Sequence, residues 1–158
     1  MNLRRRFSDQ RGFNLIELMI VIAIIGLLIG VGSIAWSSIV KSGNETAATT
    51  MLERMRTFQA QYAARNRGRF ATFKQLADSG VLDQQYAVDE EPVVNGYKFA
   101  MQVTEPTSTA PARYEIWADP LDNNAITGTG TRYFYTNSSL GSIKAKEGER
   151  ATAEDPSI

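Results

Sequence analysis

The stretch Gly12-Phe13-Asn14-Leu15-Ile16-Glu17-Leu18 decides how the chain is organised, together with the apolar run that follows it to Trp36. No residue from Leu18 to Trp36 is charged. As a helix, these nineteen residues would extend roughly 28 Å, close to the ~30 Å hydrocarbon core of a bilayer. Four arginines precede the run, and Glu17 places a carboxylate at its start. The stretch therefore predicts a membrane-spanning helix with one unexplained acidic residue at its threshold.

Residues 11–26 resemble the prepilin signature of type IV pilins and type II secretion pseudopilins. That signature has a short basic leader ending in glycine, then phenylalanine, a few small or apolar residues, a glutamate and an apolar helix. Here it reads Arg11-Gly12-Phe13-Asn14-Leu15-Ile16-Glu17, and the apolar run follows. The resemblance implies that a prepilin peptidase cleaves between Gly12 and Phe13 and methylates the new amino terminus. Residues 1–12 are then a cleaved leader, and residues 13–36 form a transmembrane and filament-core helix.

Other N-terminal signals share parts of this pattern. A secretory signal peptide has basic flanks, but its apolar core is only about 7–15 residues long and ends in a cleavage site of small residues, which this run lacks. A plain signal-anchor helix explains the length and the arginine-rich cytoplasmic flank, but not Glu17. Arg5-Arg6-Phe7 is only faintly similar to a twin-arginine signal, and that pathway favours less apolar cores. The prepilin interpretation also accounts for Glu17.

Glu17 and the amino terminus of Phe13 are the predicted assembly residues. The resemblance implies that Glu17 of one subunit pairs with the Phe13 amine of a neighbour when subunits leave the bilayer and stack. A carboxylate in an apolar bundle is tolerated when it is paired, and a wrong axial register would leave both charges buried alone. The alternative is a Glu17 side chain that extends to the lipid headgroups and plays no part in assembly.

Gly26, Gly30 and Gly32 lie inside the apolar run and allow two compatible interpretations. Small residues let membrane helices approach closely, as in the GxxxG pair of Gly26 and Gly30. Each glycine also weakens a helix by about 1 kcal/mol relative to alanine, which predicts a segment that stretches or partly melts in a filament. Many pilins carry a proline a few residues further on, where this sequence has Ile34.

Composition restricts the chemistry of the remaining chain. The 158 residues accommodate one modest globular domain besides the helix, and they include no cysteine and no histidine. Disulfides, which close the head of many type IV pilins, and thiolate metal sites are therefore excluded. The commonest general base is also missing, and no nucleophile–base pair or phosphate loop appears. We therefore expect neither an enzyme nor a cofactor.

The formal net charge of zero changes when the leader is removed. Residues 1–12 contain four arginines and one aspartate, so 17 basic and 17 acidic residues become 13 and 16. A mature chain near −3 has no general attraction for nucleic acid, which is not expected as a partner by default.

The helix is predicted to continue beyond the membrane to about Arg65. Apolar residues recur at steps of three and four, and polar residues between them, including Gln59, are expected on the solvated face. The apolar stripe consists of Ala48, Met51, Met55, Phe58 and Tyr62. Gly68 suits a helix C-cap, and the arginines around it, Arg65, Arg67 and Arg69, are interpreted as a solvated helix end, with DNA binding as the less favoured alternative. Gly43 is the predicted soft point of this half.

Residues 37–158, including this half of the helix, are predicted to form an α+β globular head. Thr72 and Gln75 have the spacing of a capping box, which predicts a short helix over 72–79. Alternating and aromatic-rich segments predict strands over about 96–104, 112–118 and 131–136, and 142–145 is a possible fourth, edge strand. Three or four antiparallel strands on one long amphipathic helix make a type IV pilin-like, two-layer fold. The polar tail from Glu147 is expected to be loosely held.

Four oxygen-bearing side chains after the second long predicted strand are candidate ligands for a calcium ion. They are Asp119, Asp122, Asn123 and Asn124. Hard cations accept such ligands, and the resemblance to pseudopilins adds a structural calcium in the C-terminal loop region. Asp-Pro and Asp-Asn-Asn are equally good turn formers, however, and the EF-hand spacing is absent. The preferred interpretation is a turn with no metal.

The sequence as a whole predicts a type IV pilin structural subunit. It would enter the inner membrane as a precursor, be processed by prepilin peptidase, and polymerise with identical subunits on a pilus assembly platform into an extracellular filament for motility, adhesion or DNA uptake. The first alternative is a pseudopilin of a type II secretion system. Against it, Asp119-Pro120-Leu121-Asp122 stands where the major pseudopilin usually has an Asp-Pro-Trp-Gly-type turn. The second alternative is a monomeric, membrane-anchored binding domain.

Overall fold

The computed structural model describes residues 13–124 and 127–158, and within that range the side chains of residues 33–35 are not described. The described residues fall into two compact units that divide between Trp36 and Ser37. The first unit is helical, and the second contains the rest of the same helix and the whole sheet.

Helix α1 comprises Leu15–Arg65 and begins two residues later than Phe13. Asn14 caps it, because its side-chain Oδ1 accepts a hydrogen bond from the Ile16 N–H at 3.3 Å. At the other end the Gly68 N–H donates to the Ala63 carbonyl at 2.9 Å, and Gly68 adopts the left-handed backbone with φ 78°. That conformation stops the helix at little cost for glycine, as the sequence predicted.

The head half of α1 packs one face against the sheet. Ala48, Leu52 and Met55 are buried in the same core cluster as residues of the strands. The prediction that Gln59 is solvated is wrong, because this side chain is fully buried. Its Nε2 donates to the Ala71 carbonyl at 2.6 Å and its Oε1 accepts from the Ala71 N–H at 2.9 Å. A buried amide is stable here because both of its polar atoms have partners, which periodicity alone does not reveal.

Helix α2 comprises Phe73–Asp78, and a short 3-10 helix follows at Gln84–Tyr86. The capping box predicted from the sequence is present. Thr72 Oγ1 accepts from the Gln75 N–H at 3.3 Å, and Gln75 Oε1 accepts from the Thr72 N–H at 2.8 Å. The cap directs α2 so that Phe73 and Leu76 are buried.

Replacing Thr72 by alanine is expected to destabilise the head by about 1 kcal/mol, because it removes the side-chain acceptor of the cap. Thermal unfolding of the detergent-solubilised chain, followed by circular dichroism, measures the change. Thr72→Ser keeps the hydroxyl and serves as the matched control, which should unfold close to the wild type. Equal midpoints for the serine and alanine variants would contradict the cap.

The sheet has five antiparallel strands in the order β1-β2-β3-β4-β5, which confirms the α+β class with one more strand than predicted. Their bounds are Val93–Val94, Tyr97–Thr104, Arg113–Pro120, Arg132–Asn137 and Lys144–Glu147. Strand β1 was not predicted, although Asn95-Gly96 is a strong hairpin signal. Both residues are left-handed, with φ 50° and 71°, as a two-residue turn of this kind requires.

The predicted edge strand is present, but it lies two residues later than 142–145. The prediction that the tail after Glu147 is loosely held is wrong. Ala151 is fully buried, the Ala145 N–H donates to the Pro156 carbonyl at 2.9 Å, and the Ile158 N–H donates to the Ile143 carbonyl at 3.1 Å. The tail therefore covers the outer edge of β5, whose backbone groups would otherwise be exposed. A polar composition does not reveal such backbone pairing.

Candidate functional site

The apolar half of α1 is exposed along its described length. Large apolar side chains between Phe13 and Trp36 have exposed fractions from 42% at Val21 to 81% at Phe13. Among the described residues, α1 is the one helix that is long and apolar enough to cross a membrane. A surface of this kind requires a covering of lipid or protein, since each large apolar side chain left in water costs about 1.5–3 kcal/mol.

The residues predicted to act in processing lie at the start of this surface. Gly12 is outside the described residues, and so is the bond predicted to be cleaved. Phe13 and Asn14 precede the helix, and Glu17 lies in its first turn. An acidic residue there interacts favourably with the positive end of the helix dipole. The Glu17 side chain is exposed and has no hydrogen-bond or ion-pair partner among the residues that the structure describes.

The three glycines of the apolar run lie in unbroken helix. Gly26, Gly30 and Gly32 are helical, and a Cβ added at any of them would meet no atom within 4 Å. Their open surroundings leave room for a close approach by another helix. The predicted flexibility at these positions stays a prediction.

Lys41, Asn44 and Glu45 form a polar row on α1 that anchors the loop between β3 and β4. This row was not predicted from the sequence. Lys41 Nζ donates to the Asn124 carbonyl at 2.7 Å, and Asn44 Nδ2 donates to the Thr129 carbonyl at 2.9 Å. Glu45, the third member, is 6% exposed. The i, i+3, i+4 spacing of these side chains places them on one helix face, and this was the available signal.

The Glu45 carboxylate is the centre of this row. It accepts from the Thr131 N–H and Oγ1, each at 2.9 Å, and from the Arg132 N–H at 3.3 Å. Arg132 Nε donates to it at 2.7 Å and forms an ion pair. Burial by itself would raise the pKa of Glu45, but the bonds from Thr131 and Arg132 and the Arg132 charge together lower it. The carboxylate is therefore charged and paired at neutral pH.

Tyr97 and Gly130 complete the surroundings of this carboxylate. Tyr97 Oη donates to the Arg132 carbonyl at 2.8 Å, and burial raises the pKa of Tyr97 above its usual range. A Cβ at Gly130 would collide with the Tyr97 ring, so glycine is required where the loop meets this side chain.

The four candidate calcium ligands form hydrogen bonds or ion pairs with other residues of the head. Asp119 forms an ion pair with Arg150 at 2.9 Å, and Asp122 Oδ1 accepts from the Asn124 N–H at 2.9 Å. Asn123 Nδ2 donates to the Tyr133 hydroxyl at 3.3 Å. The described part of the chain contains no group of three or more His, Cys, Asp or Glu side chains that could hold a metal ion. These contacts are typical of a turn.

Comparison with protein families finds the prokaryotic N-terminal methylation motif at residues 7–33. This is the type IV prepilin-like signature, so the resemblance seen in the sequence is confirmed. It supports a membrane-anchored precursor of the type IV pilin-like or pseudopilin-like kind, processed by prepilin peptidase. Proteins with this motif are typically structural rather than enzymatic. No curated protein and no solved structure matches the chain.

Proposed function

We propose that this chain is the structural subunit of an extracellular type IV pilus. The observation that carries the proposal is the exposed apolar surface of residues 15–32 and Trp36, which begins inside the N-terminal methylation motif and has one carboxylate in its first turn. A monomeric anchor needs the apolar surface but not the motif. A filament subunit uses both.

Two environments cover the apolar surface in turn. In the inner membrane, lipid tails cover it, and helix association there gains little from the hydrophobic effect because lipid is as apolar as leucine. Outside the membrane the same surface is covered by the helices of neighbouring subunits. Because exposure of each large apolar side chain to water costs about 1.5–3 kcal/mol, a subunit leaves the bilayer only as it joins others.

Cleavage between Gly12 and Phe13 supplies the group that fixes axial register. It creates an amine at Phe13, next to the start of α1, and Glu17 of a neighbouring subunit accepts that cation. Within one chain Glu17 is exposed and unpaired among the described residues, so it is available for a partner from outside. Any register that separates the two charges buries both without compensation, which disfavours it strongly.

Mass spectrometry of the N-terminal peptide from sheared filaments tests the proposal. We expect filaments removed from intact cells to yield a methylated peptide that begins at Phe13. That result would support processing, export and assembly in one measurement. A chain that still begins at Met1 would overturn the proposal and favour a simple anchored domain.

The same measurement separates a pilus from the pseudopilus of a type II secretion system. The methylation motif is common to both, so processing alone does not distinguish them. A processed peptide found in the membrane fraction and absent from sheared material would favour the pseudopilin. The membrane fraction of the same cells is the matched control, because it contains the subunit before assembly in either case.

A further inference from the structure

Three arginines form a concave basic surface at the C-terminal end of α1. Arg65, Arg67 and Arg69 line a cavity of about 360 Å³, together with Tyr62 and Phe70, and one carboxylate, that of Glu105, belongs to the same lining. We call the three arginines, Tyr62 and Phe70 the arginine surface. Its cations stand out because the mature chain has a surplus of acidic residues, 16 against 13 basic.

Most of this positive charge is not neutralised by the residues that the structure describes. Arg69 Nε lies 3.8 Å from Glu105, at the long limit for an ion pair, and both side chains are mostly exposed. Arg65 and Arg67 have no carboxylate at ion-pair distance among the residues that the structure describes. Exposed guanidinium groups of this kind are well suited to bind carboxylates from outside, because their planar forks can donate two parallel hydrogen bonds.

The backbone at Arg67 is unusual for a solvated helix end. Arg67 has φ 56°, and Gly68 after it has φ 78°. For a residue with a side chain, the left-handed conformation costs roughly 1–2 kcal/mol relative to the right-handed one, and glycine or asparagine would adopt it at less cost. An arginine in this conformation is a reason to look for a contact that uses its side chain.

An acidic segment of the same head carries exposed negative charge. Val88, Asp89 and Glu90 lie between the 3-10 helix and β1, and all three are exposed. We call them the acidic turn. Glu91 is already paired with Lys98 at 2.8 Å, whereas Asp89 and Glu90 have no cation at ion-pair distance among the described residues. Lys74 lines the same cavity as these two carboxylates, but it pairs with Asp78 at 3.0 Å. Val88 is 76% exposed, which adds an uncovered apolar contact beside the two carboxylates.

We propose that the arginine surface of one subunit binds the acidic turn of a second copy of this chain. The inference rests on the proposed filament, in which identical heads are held close together by their helices. Two different surfaces on each subunit form a heterologous contact, and such contacts can repeat along a helical filament without closing. A free polyanion is a weaker candidate, because a mature chain near −3 repels it, whereas each neighbouring subunit brings an acidic turn.

Exchange of charge between the two surfaces tests the proposal in the full chain. Arg67→Glu alone, or Glu90→Arg alone, places like charges opposite each other and is expected to lower the yield of sheared filaments about five- to tenfold. The combined variant restores opposite charges and the wild-type net charge, so its yield should return to near the wild-type level. Wild-type filaments should be shorter at high salt than at low salt, because screening weakens exposed ion pairs.

The matched control makes the same size of charge change in the C-terminal tail. Glu154→Arg alters an exposed residue there and should leave the filament yield unchanged. The amount of processed subunit in the membrane should be equal in all variants. A lower filament yield then cannot be explained by degradation of a misfolded subunit.

Failure of this inference is distinguishable from failure of the proposed function. If wild-type cells give no sheared filaments, the filament itself is refuted and the charge exchange has no basis. If wild-type filaments form and the single reversals leave their yield unchanged, the contact alone is refuted. Single reversals that lower the yield without recovery in the combined variant also refute it. Loss of binding to a soluble polyanion such as heparin, with filament yield unchanged, would assign the arginine surface to an external anion instead.

Discussion

Replacement of Glu17 by leucine is expected to abolish filaments or reduce them strongly, while the precursor still inserts into the membrane. In the proposed filament the Phe13 amine would lose its partner in an apolar core. Removing one member of a buried ion pair typically costs about 3–5 kcal/mol, which corresponds to a factor of roughly 150 to 5,000 in a subunit-addition equilibrium. Leucine makes the segment more apolar, so insertion is not impaired.

Filament yield and subunit processing have to be measured together for Glu17→Leu. Immunoblots of sheared and membrane fractions give the first quantity, and the mass of the N-terminal peptide gives the second. The expected result is a membrane-bound subunit that begins at Phe13 and forms no filaments. Glu17→Gln keeps the shape without the charge and should fail in the same way, whereas Leu18→Ile, a neutral change next to it, should assemble normally. Unaltered filaments in the leucine variant would refute the charge pair.

Replacement of Glu45 by alanine is expected to lower the thermal midpoint of the head by about 10 °C. The substitution leaves the Thr131 N–H, the Arg132 N–H and the guanidinium of Arg132 without their shared acceptor. Loss of a buried charged acceptor costs about 2–4 kcal/mol, and a domain of this size loses roughly 3–5 °C for each kcal/mol. The estimate is below that for a fully buried pair because the Arg132 side chain is 40% exposed.

Circular dichroism of the detergent-solubilised chain measures this midpoint. Glu53→Ala is the matched control, because Glu53 lies on the same helix and pairs with Arg56 at 2.9 Å, but its side chain is 57% exposed. An exposed pair contributes about 1 kcal/mol or less, so the control should shift the midpoint only slightly. Equal shifts in the two variants would show that the polar row does not anchor the β3–β4 loop.

The Glu45 carboxylate also predicts part of the pH dependence of this stability. Its pKa in the folded head is lowered from the ordinary value of 4.5. The stabilisation is therefore fully present above about pH 4.5 and is lost as the pH falls through the lower, folded-state pKa. In Glu45→Gln this contribution is absent, so the difference in midpoint between wild type and variant should shrink below that pH.

Other titrating groups do not alter the comparison between wild type and Glu45→Gln. Burial raises the pKa of Asp119, with the nearby Arg150 acting against it, so protonation of this group in acid favours the folded head. Hydrogen bonds lower the pKa of Asp155, which acts in the same direction as Glu45. Both groups are present in the two proteins and cancel in the difference. A difference in midpoint that stays constant from pH 7 to about pH 3 would contradict the assignment to Glu45.

Local signals made several features predictable from the sequence. The apolar run, the stop at Gly68 and the capping box of Thr72 each depend on residues close together in the chain, and the structure has all three elements in these places. The strand alternation around Tyr97 and Ile116 likewise reports which side chains face the core. The residues predicted to act in processing are also contiguous, and the methylation motif that contains them matches at residues 7–33 without the head.

Contacts between distant residues were not predictable in the same way. Glu45 and Arg132 are 87 positions apart, and neither carries a sign that it has a charged partner. The sequence predicts Gln59 on the surface, but its side chain is buried and bonded to the backbone of Ala71. The sequence does not show which backbone groups need a side-chain partner. The sequence predicts a loosely held tail because the pairing of the tail with β5 uses main-chain atoms, which every residue possesses.

By itself, the sequence determined the N-terminal segment and the class of the fold, because apolar periodicity, helix caps and the methylation motif act over a few residues at a time. The tertiary structure alone decided how a head without cysteine is held together and which surface charges stay unpaired. The β3–β4 loop is anchored by Lys41, Asn44 and Glu45, and the β5 edge is covered by the C-terminal tail. Both depend on chain segments meeting after folding, when burial makes a hydrogen bond or an ion pair matter far more than it does in the unfolded chain.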